Sequence, residues 1–214
     1  MTSKFSINCR RCNRLAEFLD DLRVKYPDYH NLPVPAFGPT DAQLLIVGLA
    51  PGLHGANATG RPFTGDYAGL LLYETLFKYG FSSQSESVAA DDGLTLINCR
   101  ITNSVRCLPP GNKPIGEEVN LCNSYLSQDL TRVPKGGVII ALGVIAHRAV
   151  IKSQGLKLSD YPFSHGAEAS IPGSKYLISS YHCSRYNTQT KRLTSDMFSD
   201  IFITAKSYLD NFHD

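Results

Sequence analysis

A chain of 214 residues, 43% hydrophobic and 19% charged, has the make-up of a soluble globular protein that encloses one sizeable core. No apolar run approaches the ~20 residues of a membrane-spanning helix, and the opening Met1-Thr2-Ser3-Lys4-Phe5 leads to Cys9 without an apolar stretch, so neither a membrane protein nor a secreted one is expected. A net charge of +2 excludes a uniformly basic polycation, and any surface for a polyanion must gather its positive charge on one face.

In chain order, apolar periodicity predicts a helix over 12–24, with Leu15, Phe18, Leu19 and Leu22 on one face. A short apolar run predicts a buried strand over 44–49, followed by a helix over 67–79. The alternation continues with a strand over 95–102, a helix over 117–130, a strand over 138–142 and a helix over 144–151. A strand over 175–181 comes next, and a helix over 195–212 closes the chain with Phe198, Ile201, Phe202 and Tyr208 as its apolar stripe. Strands alternating with helices predict one three-layer α/β/α domain over residues 1–214, built on a central four-stranded parallel sheet. Such sheets bind ligands beyond the carboxyl ends of their strands.

The first strand runs into Gly48-Leu49-Ala50-Pro51-Gly52-Leu53-His54-Gly55-Ala56-Asn57 and then Ala58-Thr59-Gly60-Arg61-Pro62-Phe63-Thr64-Gly65-Asp66. Its glycines let backbone amides approach a ligand closely, and a helix follows at once. The segment matches neither the phosphate loop with its lysine nor the dinucleotide glycine pattern. A purely structural loop is the plainer alternative, although long loops in compact domains are usually functional. Two further segments lie at strand ends: Ile101-Thr102-Asn103-Ser104-Val105-Arg106-Cys107 and His182-Cys183-Ser184-Arg185-Tyr186-Asn187-Thr188.

Together these three segments, with Leu193-Thr194 downstream, resemble the motifs of the family-five (type B) uracil-DNA glycosylases over most of the chain. The resemblance implies the same three-layer fold and a monofunctional enzyme that flips uracil out of DNA and hydrolyses its N-glycosidic bond. That activity would initiate base excision repair on DNA carrying uracil or other deaminated bases, hypoxanthine among them. Gly48, Leu49, Ala50 and Gly52 would then line the base pocket, with His54 as a further contact. Phe63 would stack on the base face, where an ordinary core phenylalanine is the rival assignment. Outside the motif Asn103 reads as a turn cap; within it, the side-chain amide donates to uracil O4 and accepts from N3–H, a pattern that cytosine reverses.

His182 would donate to uracil O2 as negative charge develops there. Many relatives in the wider group carry an acid just after the first glycine, where this chain and the family-five pattern have none; Leu49 cannot activate water. The nearest motif carboxylate is Asp66, placed either to position water and stabilise the sugar cation or to cap the helix at 67–79. Asn57 is a further candidate for positioning water. No motif lysine offers a Schiff-base nucleophile, and no carboxylate cluster implies a divalent cation. The segment 184–192 interleaves Arg185, Tyr186, Asn187, Lys191 and Arg192, groups suited to phosphates and to the gap left by a flipped base, although charge runs are more often solvated loops.

Cys9 and Cys12, with Cys107 and Cys122, form a set of four thiols that fits either an iron–sulfur cluster or a structural zinc. Spacing does not decide between them; the resemblance implies a four-iron, four-sulfur cluster that ties the N-terminal segment to the loop after the second strand, beside Arg10, Arg11, Arg106 and Lys113. Cys99, in mid-strand, is expected in the core, whereas Cys183 replaces the family's usual proline and is expected as an exposed thiol. Six cysteines read as thiols rather than as disulfides predict a cytoplasmic protein, and it is expected to be a monomer. An iron–sulfur DNA-binding or redox-sensing module without catalysis is the alternative from another class, disfavoured by Asn103 and His182 in context. A nucleotide-binding protein is a third, opposed by the missing phosphate-loop lysine.

Overall fold

The computed structural model describes residues 4–212. Its strands are β1 (Leu44–Gly48), β2 (Cys99–Asn103), β3 (Val138–Leu142), β4 (Glu168–Ile171) and β5 (Lys175–Ser180). They form one sheet in the order β2-β1-β3-β5-β4. β1 pairs in parallel with β2 and β3, and β3 with β5, while β4 runs antiparallel along β5. The sheet is therefore five-stranded and mixed, which corrects the expected four-stranded parallel arrangement. The physical reason lies in β4: Glu168-Ala169-Ser170-Ile171 buries only Ile171, and the segment is extended because β5 pairs with it across a tight turn.

The helices are α1 (Asn13–Lys25), α2 (Ala56–Thr59), α3 (Tyr67–Lys78), α4 (Gly116–Arg132), α5 (Val144–Ser153), α6 (Arg185–Gln189) and α7 (Ser195–Asn211). β1 and β3 bury every residue, the pattern of strands covered on both faces. Leu44, Ile46, Val138 and Ile140 point to one layer, against Leu72 and Leu76 of α3 and Phe198 and Phe202 of α7. Leu45, Val47, Ile139 and Ala141 point to the other, against Leu126 and Leu130 of α4 and Ala149 and Val150 of α5. These two cores make the three-layer α/β/α sandwich. A third cluster packs α1, through Leu15, Leu19 and Leu22, on Val105 and Leu108 of the loop after β2.

Two expected boundaries shift. The strand over 95–102 begins only at Cys99, because Leu96 pairs with Ser82 in an isolated bridge that closes the preceding loop. The segment 184–192, expected as an open loop, winds into α6, whose first turn Ser184 caps by accepting from the Asn187 amide. Arg106 faces the protein interior. It is buried at 3% exposure and pairs with Asp129 of α4, which also accepts from Thr102 Oγ1 at 3.0 Å. It therefore presents no charge to solvent, since Asp129 holds its guanidinium inside.

Candidate active site

The carboxyl ends of β1, β2, β3 and β5 open onto one cavity of about 790 Å³. Gly48 closes β1, and the absence of a side chain there is what lets the site form. A β-carbon on Gly48 would lie 2.3 Å from Asn103 Oδ1 and 2.7 Å from Phe63 Cζ. Asn103 ends β2 only 3% exposed, and its Oδ1 is buried without a hydrogen-bond partner. A buried acceptor left unpaired costs about 1–3 kcal/mol, so a donor reaching it in the cavity recovers that free energy. Phe63 lies with its ring centroid 5.9 Å from that of His182, the planes 23° apart. Three segments distant in sequence thus supply an amide, an aromatic face and an imidazole to one space.

His182 follows β5 by two residues. Its Nδ1 is buried without a partner, and burial pushes the imidazole down to about 4. Burial thus favours the neutral imidazole at pH 7. Asn187 Nδ2 donates to the His182 carbonyl at 2.8 Å, which fixes the turn between β5 and α6. Cys183 is fully buried among Leu193, Phe198 and their neighbours, not exposed as expected. The chain turns its thiol inward to the core, and burial raises it to about 12.

Asp66 occupies the position before α3 but makes no side-chain capping bond to that helix. Its Oδ2 accepts instead from the Ala56 amide at 3.1 Å, and the Gly52 amide also donates to the carboxylate. Gly52 and Gly55 make this approach possible, since β-carbons there would sit 2.4 and 2.0 Å from Asp66 atoms. Burial raises the Asp66 carboxyl above the ordinary range, and the residue lines the cavity beside Leu49, Ala50 and Gly52.

Two expected contacts stand elsewhere. Asn57 is fully buried behind the wall, donating from Nδ2 to Asn31 Oδ1 at 2.8 Å. Its orientation follows from Asn31, whose own Nδ2 is engaged by the Leu22, Tyr26 and Tyr29 carbonyls. His54 is exposed on the outer side of the loop, 3.0 Å from Tyr29 Oη and edge-on to Tyr26.

The sequence model of the uracil DNA glycosylase superfamily matches residues 35–206. The chain belongs to the uracil DNA glycosylase superfamily. A type-5 uracil-DNA glycosylase of Thermus thermophilus is 44% identical over 203 residues, covering 92% of each chain. One of Pyrobaculum aerophilum is 38% identical over 203 residues, covering 93% of this chain and 88% of its own. One of Mycobacterium leprae is 41% identical over 206 residues, covering 92% and 90%.

In this superfamily member the rim of the cavity is cationic. Arg185 lies 5.6 Å above the Tyr67 ring and Arg192 lies 4.7 Å above the Tyr181 ring. Among the described residues neither arginine pairs with a carboxylate. Tyr186 projects at 71% exposure from α6, and Lys191 is exposed just beyond it. Asn187 and both arginines line the cavity; Tyr186 and Lys191 stand outside it.

Cys9, Cys12, Cys107 and Cys122 line a second, small pocket together with Phe5, Arg106 and Tyr125. All six cysteines are free thiols, and among the described residues no three His, Cys, Asp or Glu side chains are arranged to hold a metal ion. Burial pushes Cys12 up to about 11 and raises Cys107 and Cys122 as well, with repulsion from the neighbouring cysteines adding to it. The Arg106 amide donates to Cys122 Sγ at 3.4 Å, and the Arg106 Nε and Nη1 atoms are buried without partners. Cys99 is in the core as expected.

Sequence reasoning missed several lining residues. Val144 and Ile145 enter from the start of α5, and the signal for them was Gly143, which follows β3 at φ 93°. Tyr67, Phe163 and Tyr181 add aromatic wall; Phe163 comes from an irregular stretch with no pattern to mark it.

Proposed function

We propose that the protein excises uracil from DNA by hydrolysing its N-glycosidic bond. The observation that carries this reading is the juxtaposition of Asn103, Phe63 and His182 around one cavity at the strand ends. An everted uracil stacked on Phe63 offers its N3–H to the unpaired Asn103 Oδ1 and its O4 to the amide nitrogen. Cytosine presents an acceptor and a donor at those places and is refused. Hypoxanthine carries the same carbonyl beside a ring N–H, and about 790 Å³ accommodates a purine, so the proposal extends to that base.

As the bond breaks, negative charge gathers on the base and positive charge on the sugar. Neutral His182 donates to O2, a contact that in comparable sites lowers the barrier by about 3 kcal/mol. Asp66, turned away from its own helix and held by the Gly52 and Ala56 amides, faces the sugar side with a basic carboxylate. It orients the attacking water or stabilises the oxocarbenium centre. Arg185 and Arg192 hold phosphates on either side of the flipped nucleotide, with Tyr186, Asn187 and Lys191 as the flanking contacts. Asn57 and His54 act behind this set, by supporting the loop that carries Gly52 and Asp66.

We assign an iron–sulfur cluster to the four cysteines that line the second pocket, and the unpaired guanidinium atoms of Arg106 at its wall suit an anionic group. Bound there, the cluster supplies a structural tie between the N-terminal segment and the loop after β2. A structural zinc on the same thiols is the competing occupant. The free thiols accord with a reducing cytoplasm, and we take the protein to act as a monomer.

The test is to incubate the protein with duplexes containing uracil, hypoxanthine or a thymine mismatch and to score alkali-labile abasic sites. Cleavage at uracil is expected; intact uracil strands would overturn the assignment.

A further inference from the structure

Phe63 stands at φ 58°, in the left-handed region where a phenylalanine stays only if its surroundings hold it. Both flanks are held. Tyr73, fully buried in α3, donates its hydroxyl to the Pro62 carbonyl at 2.9 Å. Gly69 seats the Phe63 carbonyl, since a β-carbon there would lie 1.8 Å from that oxygen. On the other flank, Arg61 Nε donates to Thr64 Oγ1 at 2.9 Å, and Thr64 Oγ1 lies 2.6 Å from Ser87 Oγ. Arg61 Nη2 donates to Ser87 Oγ at 2.7 Å and to Asp92 Oδ2 at 2.5 Å. Asp92 in turn accepts from the amides of Val88, Ala89 and Leu94. The motif arginine thus faces inward, to a loop that contributes nothing to the cavity lining.

We infer that Arg61, Thr64, Tyr73, Ser87 and Asp92 form a bracket that positions Phe63 as the stacking wall, so that the segment 87–92 governs base binding without touching the base. Without the bracket the backbone relaxes out of the left-handed region and carries the ring away from Gly48 and Asn103. The inference rests on the stacking role given to Phe63 in the uracil reading.

A double-mutant cycle tests it: Tyr73→Phe and Ser87→Ala, each alone and with Phe63→Ala, assayed on a uracil-containing duplex. Each single variant is expected to raise KM about tenfold, ~1.4 kcal/mol, with kcat within about twofold, because stacking serves ground state and transition state alike. In the Phe63→Ala background neither is expected to raise it further. Equal effects in both backgrounds, or none in either, overturn the bracket. Should Tyr73→Phe fail to fold, Ser87→Ala, which deletes one loop hydroxyl, decides the matter alone. Failure of the unsubstituted protein to excise uracil overturns the functional reading instead. Excision with an unchanged KM in Phe63→Ala overturns the stacking role and the bracket with it.

Discussion

Asn103→Ala separates what a residue does for folding from what it does for the base. In the structure Asn103 Oδ1 is buried and bonded to nothing, so truncation removes no hydrogen bond from that atom and relieves an unsatisfied acceptor. Against this stands a small cavity beside Gly48 and Phe63. The two changes nearly offset, and a net change within ~1 kcal/mol moves the melting midpoint of a chain this size by roughly 2–4 °C. On the base the variant leaves both N3–H and O4 without partners in a water-poor pocket, at about 1–3 kcal/mol each. A combined loss of roughly 2–6 kcal/mol lowers kcat/KM by about 30- to 25,000-fold. Single-turnover excision on a uracil-containing duplex, beside a thermal melt, reads both quantities. Excision within about threefold of the unsubstituted protein, or a loss that simply follows a falling melting midpoint, would refute the assignment of Asn103 to base reading.

Asp66→Asn is expected to lower kcat by about 10²-fold or more with little change in KM. The carboxylate works ionised, and burial raises its pKa, so activity present above that raised value falls as pH drops through it; the variant should lose this acid limb in a pH–rate profile, and an unchanged limb assigns it to another group. Arg185→Ala and Arg192→Ala should each weaken duplex binding and reduce the slope of log affinity against log salt by about one; salt titrations with unaltered slopes would remove these arginines from the phosphate interface. The purified protein should be brown, with broad visible absorption that bleaches on oxidation, and Cys107→Ser should lose both colour and thermal stability. Colourless protein with stoichiometric zinc would overturn the cluster while leaving excision intact.

The interior strands and the cavity's main residues were legible in the chain because local pattern specifies them. Five buried residues in a row at β1 and again at β3 suit only strands covered on both faces, and the glycines at 48, 52 and 55 mark where backbone and side chains must approach closely. β4 was not legible, since its single buried residue carries no periodic signal and its pairing with β5 supplies the order. α6 is short and polar, and Ser184 with the turn after His182 shapes it more than propensity does.

By itself the sequence determined the layered α/β architecture, the strand ends at which the cavity opens, and the residue types gathered there. The tertiary structure alone decided partners. It turned Asp66 from its own helix to the amides of Gly52 and Ala56, drew Arg61 to Asp92 and Arg106 to Asp129, buried Cys183, and brought Val144, Phe163 and Tyr181 to the cavity. Periodicity records which face of an element is apolar. It holds no record of which distant charge or carbonyl meets a polar side chain, because that depends on contacts between segments far apart in the chain.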